Sequence, residues 1–105
     1  MEKDPNNISQ HSNGAKLDAG KVDAALLLDF KRALMAVGEV GTFGAKKYSR
    51  GGWKHVEDGY IRYTSAMIRH LLATEDIDQD SGLDHDYQVA WNALARLELK
   101  LRNKK

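Results

Sequence analysis

His85, Gln88 and Asn92 stand at i, i+3 and i+7 in a segment of helical periodicity, so three polar side chains share one helix face. A helix built only for packing would fill that face with Leu or Ile. The three therefore form either the wall of a site or a solvated face, with Asp84 and Asp86 beside them. A second imidazole, His70, sits in Ile-Arg-His-Leu-Leu near the end of the preceding helix. An acidic connection follows it, and antiparallel packing of the two helices would bring His70 close to His85. Two imidazole nitrogens with a carboxylate suit Mn²⁺, Zn²⁺ or a similar ion, whereas Mg²⁺ would lean on the carboxylates. Glu75 and Asp78 lie three apart, so a helix continuing through them would let both face one ion.

The second constellation is Gly44-Ala45-Lys46-Lys47-Tyr48 followed by Trp53. Glycine admits a close approach of phosphate to backbone, lysines supply positive charge, and aromatic rings give a base a stacking partner. The alternative is a glycine-broken helix end whose aromatic residues cap the core. Asp76-x-Asp78-x-Asp80 begins like a calcium loop, but its sixth position is Ser81 and its twelfth is Tyr87, so the calcium reading fails.

These residues need helices to hold them. Leu27, Phe30, Leu34 and Val37 recur at three- and four-residue intervals, which predicts a helix beginning near Asp23 with one buried face. Gly38, Gly41 and Gly44 interrupt its second half, either kinking it or admitting a close neighbour. Residues 49–54 read as a loop. A second helix is predicted from about Glu57 to Thr74, striped by Tyr60, Tyr63, Met67 and Leu71. The third runs from about Asp84 to Leu101, with Ala90, Ala93, Leu94, Leu97 and Leu101 as its stripe. Its charges, Asp84 and Asp86 first, Arg102, Lys104 and Lys105 last, match the helix dipole. No segment alternates with period two, so no substantial sheet is expected. The fold class is thus all-α, a small bundle of three main helices.

At 105 residues the chain fits one domain. Residues 1–20 are polar and are expected to be a flexible segment, leaving 21–105 as the folded unit. A net charge of +1, from 16 Lys+Arg against 15 Asp+Glu, argues against a dedicated nucleic-acid binder. Residues 75–86 carry Glu75, Asp76, Asp78, Asp80, Asp84 and Asp86 with no Lys or Arg among them, while Lys46, Lys47, Arg50 and Lys54 form a basic group. Such a pairing suits a metal with a phosphate-bearing ligand, and it suits two solvated loops as well. The absence of cysteine excludes disulfides and thiolate metal sites and points to a reducing compartment. No apolar run is long enough for a membrane span or a leader, so a cytoplasmic protein is expected, in the host cytoplasm if phage-encoded. A small domain also has reason to bury a helix face in a homodimer or higher homo-oligomer.

Taken in order, the blocks Gly44-Ala45-Lys46-Lys47-Tyr48, Trp53, Arg69-His70-Leu71, Asp78, Ser81-Gly82-Leu83, His85 and Ala90-Trp91-Asn92-Ala93-Leu94 resemble a known family. It is that of the small phage-type dATP/dGTP diphosphohydrolases, which are similar to the MazG-like all-helical NTP pyrophosphohydrolases. The resemblance covers roughly Lys16 to Leu101. It implies hydrolysis of a purine deoxynucleoside triphosphate to monophosphate and pyrophosphate, assisted by a divalent cation, Mg²⁺ or Mn²⁺. The metal set it implies is His70, Glu75, Asp78 and His85, with Glu39 the best carboxylate on the first helix to complete it. Glu39, His70 and His85 form the expected catalytic set. Lys21, Lys46, Lys47, Tyr48, Trp53, Arg69 and Asn92 form the expected substrate-binding set. Two departures stand out: MazG-like enzymes pair Glu-x-x-Glu with Glu-x-x-Asp, and only Glu75-x-x-Asp78 is present. Gln88 stands where the family tends to carry a second histidine. The rival expectation is a protein that binds or sequesters a nucleotide without cleaving it, and a third is a helical interaction module.

Overall fold

A computed structural model describes Leu17 and residues 19–103, so most of the segment 1–20 lies outside the described residues. The described chain forms three α-helices: α1 (Lys31–Lys47), α2 (Gly59–Leu71) and α3 (His85–Arg102). Two 3₁₀ segments, Ala24–Phe30 and Gly52–His55, precede α1 and α2 respectively. Among the described residues there is no β-strand, only an isolated antiparallel bridge between Ile77 and Asp84. The expected all-α class with three main helices is what the chain adopts. None of these helices is long and apolar enough to cross a membrane.

The first helix begins differently from expectation. Asp23 makes no side-chain cap, and its carbonyl instead accepts the Leu26 amide at 3.2 Å. This i to i+3 pattern continues as a 3₁₀ segment before α-helix sets in at Lys31. The three glycines do not break α1. Gly41 lies under Trp91, where a Cβ would stand 3.4 Å from the indole nitrogen, so its role is close approach to α3. The helix closes when the Tyr48 amide bonds the Gly44 carbonyl, and Gly51, at φ 76°, reverses the chain.

That reversal delivers Trp53 to α2 and α3. Trp53, Tyr63 and Trp91 meet edge to face, with ring centroids 5.5–6.3 Å apart. Each such pair contributes about 0.5–1.5 kcal/mol beyond the area it buries. The Tyr63 hydroxyl donates to the Trp53 carbonyl at 2.7 Å, and burial raises the pKa of that phenol against the lowering effect of Arg62.

α2 and α3 form an antiparallel hairpin, the most extensive packing among the described elements, and α1 lies against α3. The register follows from its side chains. Gly59 is buried against Leu99, Arg96 donates to both Thr64 Oγ1 and the Tyr60 hydroxyl, and His70 meets His85. Asp84 caps α3 by accepting the Asp86 amide at 2.7 Å, with Asp86 in its first turn and Lys100 and Arg102 in its last. α2 is shorter than its pattern implied. It ends at Leu71, so Glu75 and Asp78 do not ride on a helix.

Among the described residues the buried apolar ones are few: Val40 on α1 and Ala95 on α3. The polar pair Gln88 and Asn92 is buried alongside them, at 8% and 4% exposure. The stripe expected to face inward, Leu27, Phe30 and Leu34, is instead 58%, 59% and 44% exposed. α1 docks on α3 through the later positions Val40 and Gly41, which leaves the earlier turns bare.

Candidate metal centre

His70 comes from the last turn of α2 and His85 from the first turn of α3, so the hairpin closes one onto the other. Their Nδ1 atoms stand 2.8 Å apart, with ring centroids 5.0 Å apart. The third member is Asp78, from the connection between the helices. Ligand atoms of His70, Asp78 and His85 all lie within 4.8 Å of one another, and all three residues are half-buried.

The connection is folded tightly enough to aim the carboxylate. The Asp78 amide donates to the Leu83 carbonyl at 2.8 Å, the Gly82 amide to the Asp78 carbonyl at 2.7 Å, and the His85 amide to the Asp76 carbonyl at 2.8 Å. Gly82 permits the turn with φ 75°. Within it the Ser81 hydroxyl is a hub. It donates to Asp78 Oδ2 at 2.8 Å and accepts from the Leu83 amide at 3.1 Å and from Gln88 Nε2 at 3.0 Å. The Ser81 amide adds a bond to the same carboxylate oxygen at 3.2 Å. Gln88 thus reaches Asp78 through Ser81, one layer behind the imidazoles, and Asn92 donates to the Gln88 carbonyl at 2.8 Å. The polar face of α3 is therefore an inward wall and not a solvated surface.

The electrostatics favour ligand-ready forms. Burial lowers the pKa of His70; Asp78 raises it, and His85 and Arg69 lower it further. Burial pushes Asp78 upward, but hydrogen bonds from the Ser81 hydroxyl and the backbone, with His70 nearby, leave it below its ordinary value. A neutral imidazole and an ionised carboxylate are the protonation states a metal requires. Were both Nδ1 atoms to hold one ion, they would remain close neighbours, as they already are here. Neither Nδ1 could then keep its hydrogen, so both rings would carry it on Nε2. Two nitrogens and one oxygen suit a borderline transition ion better than Mg²⁺.

Not every expected site residue converges here. Glu75 is exposed and is approached by the Thr74 hydroxyl at 3.4 Å, outside the cluster, because α2 stops before it. Glu39 is exposed on α1 and is also outside the cluster. Lys47 ends α1 and reaches Asp80, in the same connection as Asp78, at 2.7 Å. That bond, then the Tyr48 hydroxyl, raises the pKa of the ammonium, which lies 5.3 Å from the Tyr48 ring. Lys46 and Lys21 are exposed, as is Tyr48 at 75%. Arg69 is exposed beside His70 and donates to the Ser65 hydroxyl. Trp53 belongs to the aromatic cluster described above, and Asn92 to the buried wall.

Sequence reasoning passed over two participants, Ser81 as the hub and Asp80 as the partner of Lys47. The signal for the first was present in Asp78-x-x-Ser81-Gly82, a spacing that lets an Asp side chain bond back to a following turn. No local signal marks the second, since Lys47 and Asp80 are 33 residues apart.

Comparison with known proteins adds one finding. A family model described as dATP/dGTP diphosphohydrolase, N-terminal, matches residues 11–105. No curated protein and no solved structure matches the chain. Because the match takes in all three helices and the connection that carries Asp78, the chain belongs to the dATP/dGTP diphosphohydrolase family.

Proposed function

We propose that this chain hydrolyses a purine deoxynucleoside triphosphate, dATP or dGTP, to the monophosphate and pyrophosphate. The observation that carries the reading is the convergence of His70, Asp78 and His85 in a member of a diphosphohydrolase family. These three would hold a divalent ion, which when bound polarises a phosphate oxygen and activates water. Ser81 and Gln88 fix the carboxylate behind it.

The chain's own residues supply the rest. Lys47 stands at the end of α1 with its ammonium on Asp80, and a triphosphate would compete with that single carboxylate for it. Lys46, Arg69 and Lys21 add positive charge for the leaving pyrophosphate, and the exposed Tyr48 ring offers a stacking surface for the base. Trp53 and Asn92 contribute through the aromatic cluster and the buried wall. The natural setting for such an activity is the cytoplasm.

The second reading is a nucleotide-binding protein without turnover. The specific observation in its favour is that the cluster holds one carboxylate, with Glu39 and Glu75 outside it. A product assay separates the two. Purified protein is mixed with dATP or dGTP, in Mn²⁺ or in Mg²⁺, and monophosphate and pyrophosphate are both quantified. Equal release of both, abolished in a folded His85→Ala variant, is the expected result. No release in either metal, with nucleotide still raising the melting temperature, would leave the binding protein.

A further inference from the structure

Ser81 has no hydrogen-bonding capacity to spare, and that limits what Asp78 can offer a ligand. A serine hydroxyl has one proton and two lone pairs. The Leu83 amide fills one lone pair at 3.1 Å, and Gln88 Nε2 fills the other at 3.0 Å. The proton is then committed to Asp78 Oδ2 at 2.8 Å. The same count sets the Gln88 amide. Since Ser81 has no second proton to give, Gln88 must turn its NH₂ group toward the hydroxyl and not its carbonyl. Gln88 is only 8% exposed, so solvent offers that NH₂ group little alternative. An amide also has no proton to lose near neutral pH, which keeps Gln88 a donor whatever its neighbours do.

The Asp78 oxygen is filled in turn. Oδ2 accepts the Ser81 hydroxyl at 2.8 Å and the Ser81 amide at 3.2 Å, which occupies both of its lone pairs. We propose that Asp78 presents a single oxygen, Oδ1, to a bound ion. Gln88 is the positioning residue that enforces this, by holding the Ser81 hydroxyl in its donating orientation. Both roles rest on the reading of His70, Asp78 and His85 as a divalent-ion site.

The consequence is a choice between ions. Ca²⁺ gathers about six to eight oxygens and commonly draws two of them from one carboxylate. Two imidazole nitrogens with one carboxylate oxygen suit Mn²⁺ or Zn²⁺ instead. Releasing Oδ2 would let Asp78 chelate, a gain for a hard ion that a transition ion does not need. Gln88, one layer behind the ligands, thereby discriminates against Ca²⁺.

Infrared spectroscopy during Mn²⁺ addition tests the first role. Binding through one oxygen widens the gap between the antisymmetric and symmetric carboxylate stretches, and chelation through two narrows it. The parent chain should show the widened pair, and Asp78→Asn should lack it. Calorimetric titration with Mn²⁺ and with Ca²⁺ tests the second role. Gln88→Met is expected to bind Mn²⁺ about 10–100-fold more weakly, with no matching loss for Ca²⁺. Because Gln88 acts through Ser81, Gln88→Met should weaken Mn²⁺ binding no further in a Ser81→Ala background. A narrowed pair in the parent overturns the single-oxygen assignment, and that measurement does not need Gln88→Met to fold. Equal loss for both ions, or a full further loss in the Ser81→Ala background, overturns the role of Gln88. Neither heat nor spectral change with either ion in the parent removes the metal site itself, and both roles with it.

Discussion

The Nδ1 atoms of His70 and His85 approach to 2.8 Å across fifteen residues of chain, because α2 and α3 are antiparallel and the connection between them is tied by its own hydrogen bonds. In the metal-free protein one ring must donate and the other accept. A divalent ion held by both rings would replace that single bond with coordination by groups already in place, so little reorganisation would oppose its binding.

Metal should therefore stabilise the fold. At a hundredfold excess over its dissociation constant, Mn²⁺ or Zn²⁺ is expected to add about 2.7 kcal/mol, a rise on the order of 10 °C for a chain of this size. His70→Ala and His85→Ala should each abolish most of that rise while changing the metal-free melting temperature much less. Differential scanning fluorimetry with and without chelator checks this. An undiminished rise in both variants would place the ion elsewhere.

Ser81 would act on a bound ion through Asp78. Ser81→Ala removes the hydroxyl that orients Asp78 and leaves the Gln88 amide without its acceptor. Metal affinity should fall about 10–100-fold, as it does when an outer-layer partner of a ligand is lost. Stability should fall by about 1–3 kcal/mol. Calorimetric titration with Mn²⁺ reads the first effect and denaturant unfolding the second. Unchanged metal affinity would make Ser81 a purely structural turn residue.

Acid should destabilise the metal-free protein. His70 has a folded pKa below its unfolded value of about 6.5, so the unfolded chain takes up its proton first. No cost exists above that pH; it appears as pH falls below the unfolded value and grows until the folded pKa is passed. Asp78, also lowered, contributes stability above its unfolded value that is lost as pH falls through the folded one. Both effects have the same sign. Unfolding by denaturant in chelator should give a lower stability at about pH 5 than at about pH 7, with the His70→Gln variant less sensitive in that window. Equal slopes for parent and variant would remove His70 from the account.

Two glycines should respond in opposite directions to alanine. Gly82 holds φ 75°, and the place its Cβ would take has nothing within 4 Å, so Gly82→Ala carries the left-handed backbone cost alone, about 1–2 kcal/mol. Gly38 is helical with the same open surroundings, and Gly38→Ala should stabilise by about 0.5–1 kcal/mol. Thermal unfolding of the two variants tests the pair. A gain in Gly82→Ala would mean the connection relaxes without its left-handed turn.

How much of this was legible in the sequence depends on the range of the interaction concerned. The meeting of His70 with His85 followed from two helical patterns and a short connection; the spacing put Gln88 and Asn92 on one face, and only their burial shows that this face turns inward. Helix ends were less legible. The pattern of α2 ran on to Thr74, but the Ile77–Asp84 bridge and the turn at Gly82 take the chain out of helix after Leu71 and leave Glu75 in solvent. Trp53 could have been a stacking surface or a core residue on sequence grounds, and only its contacts with Tyr63 and Trp91 distinguish the two. The Leu27–Phe30–Leu34 stripe has the spacing of a face made for burial, yet the fold of one copy leaves it bare. Periodicity marks a face suited to burial and carries no information on what, if anything, covers it.

The aromatic cluster has a spectroscopic consequence. Trp53 and Trp91 are the chain's two tryptophans, and their rings stand 5.7 Å apart at 78°. Indoles held so close and so rigidly couple their electronic transitions, so the near-ultraviolet circular dichroism of the native protein should carry a strong, signed signature. Trp53 belongs to the segment leaving α1, and Trp91 to α3. The optical signal therefore reports whether those two parts are docked, without any attached label, and it can be followed while metal or nucleotide is added.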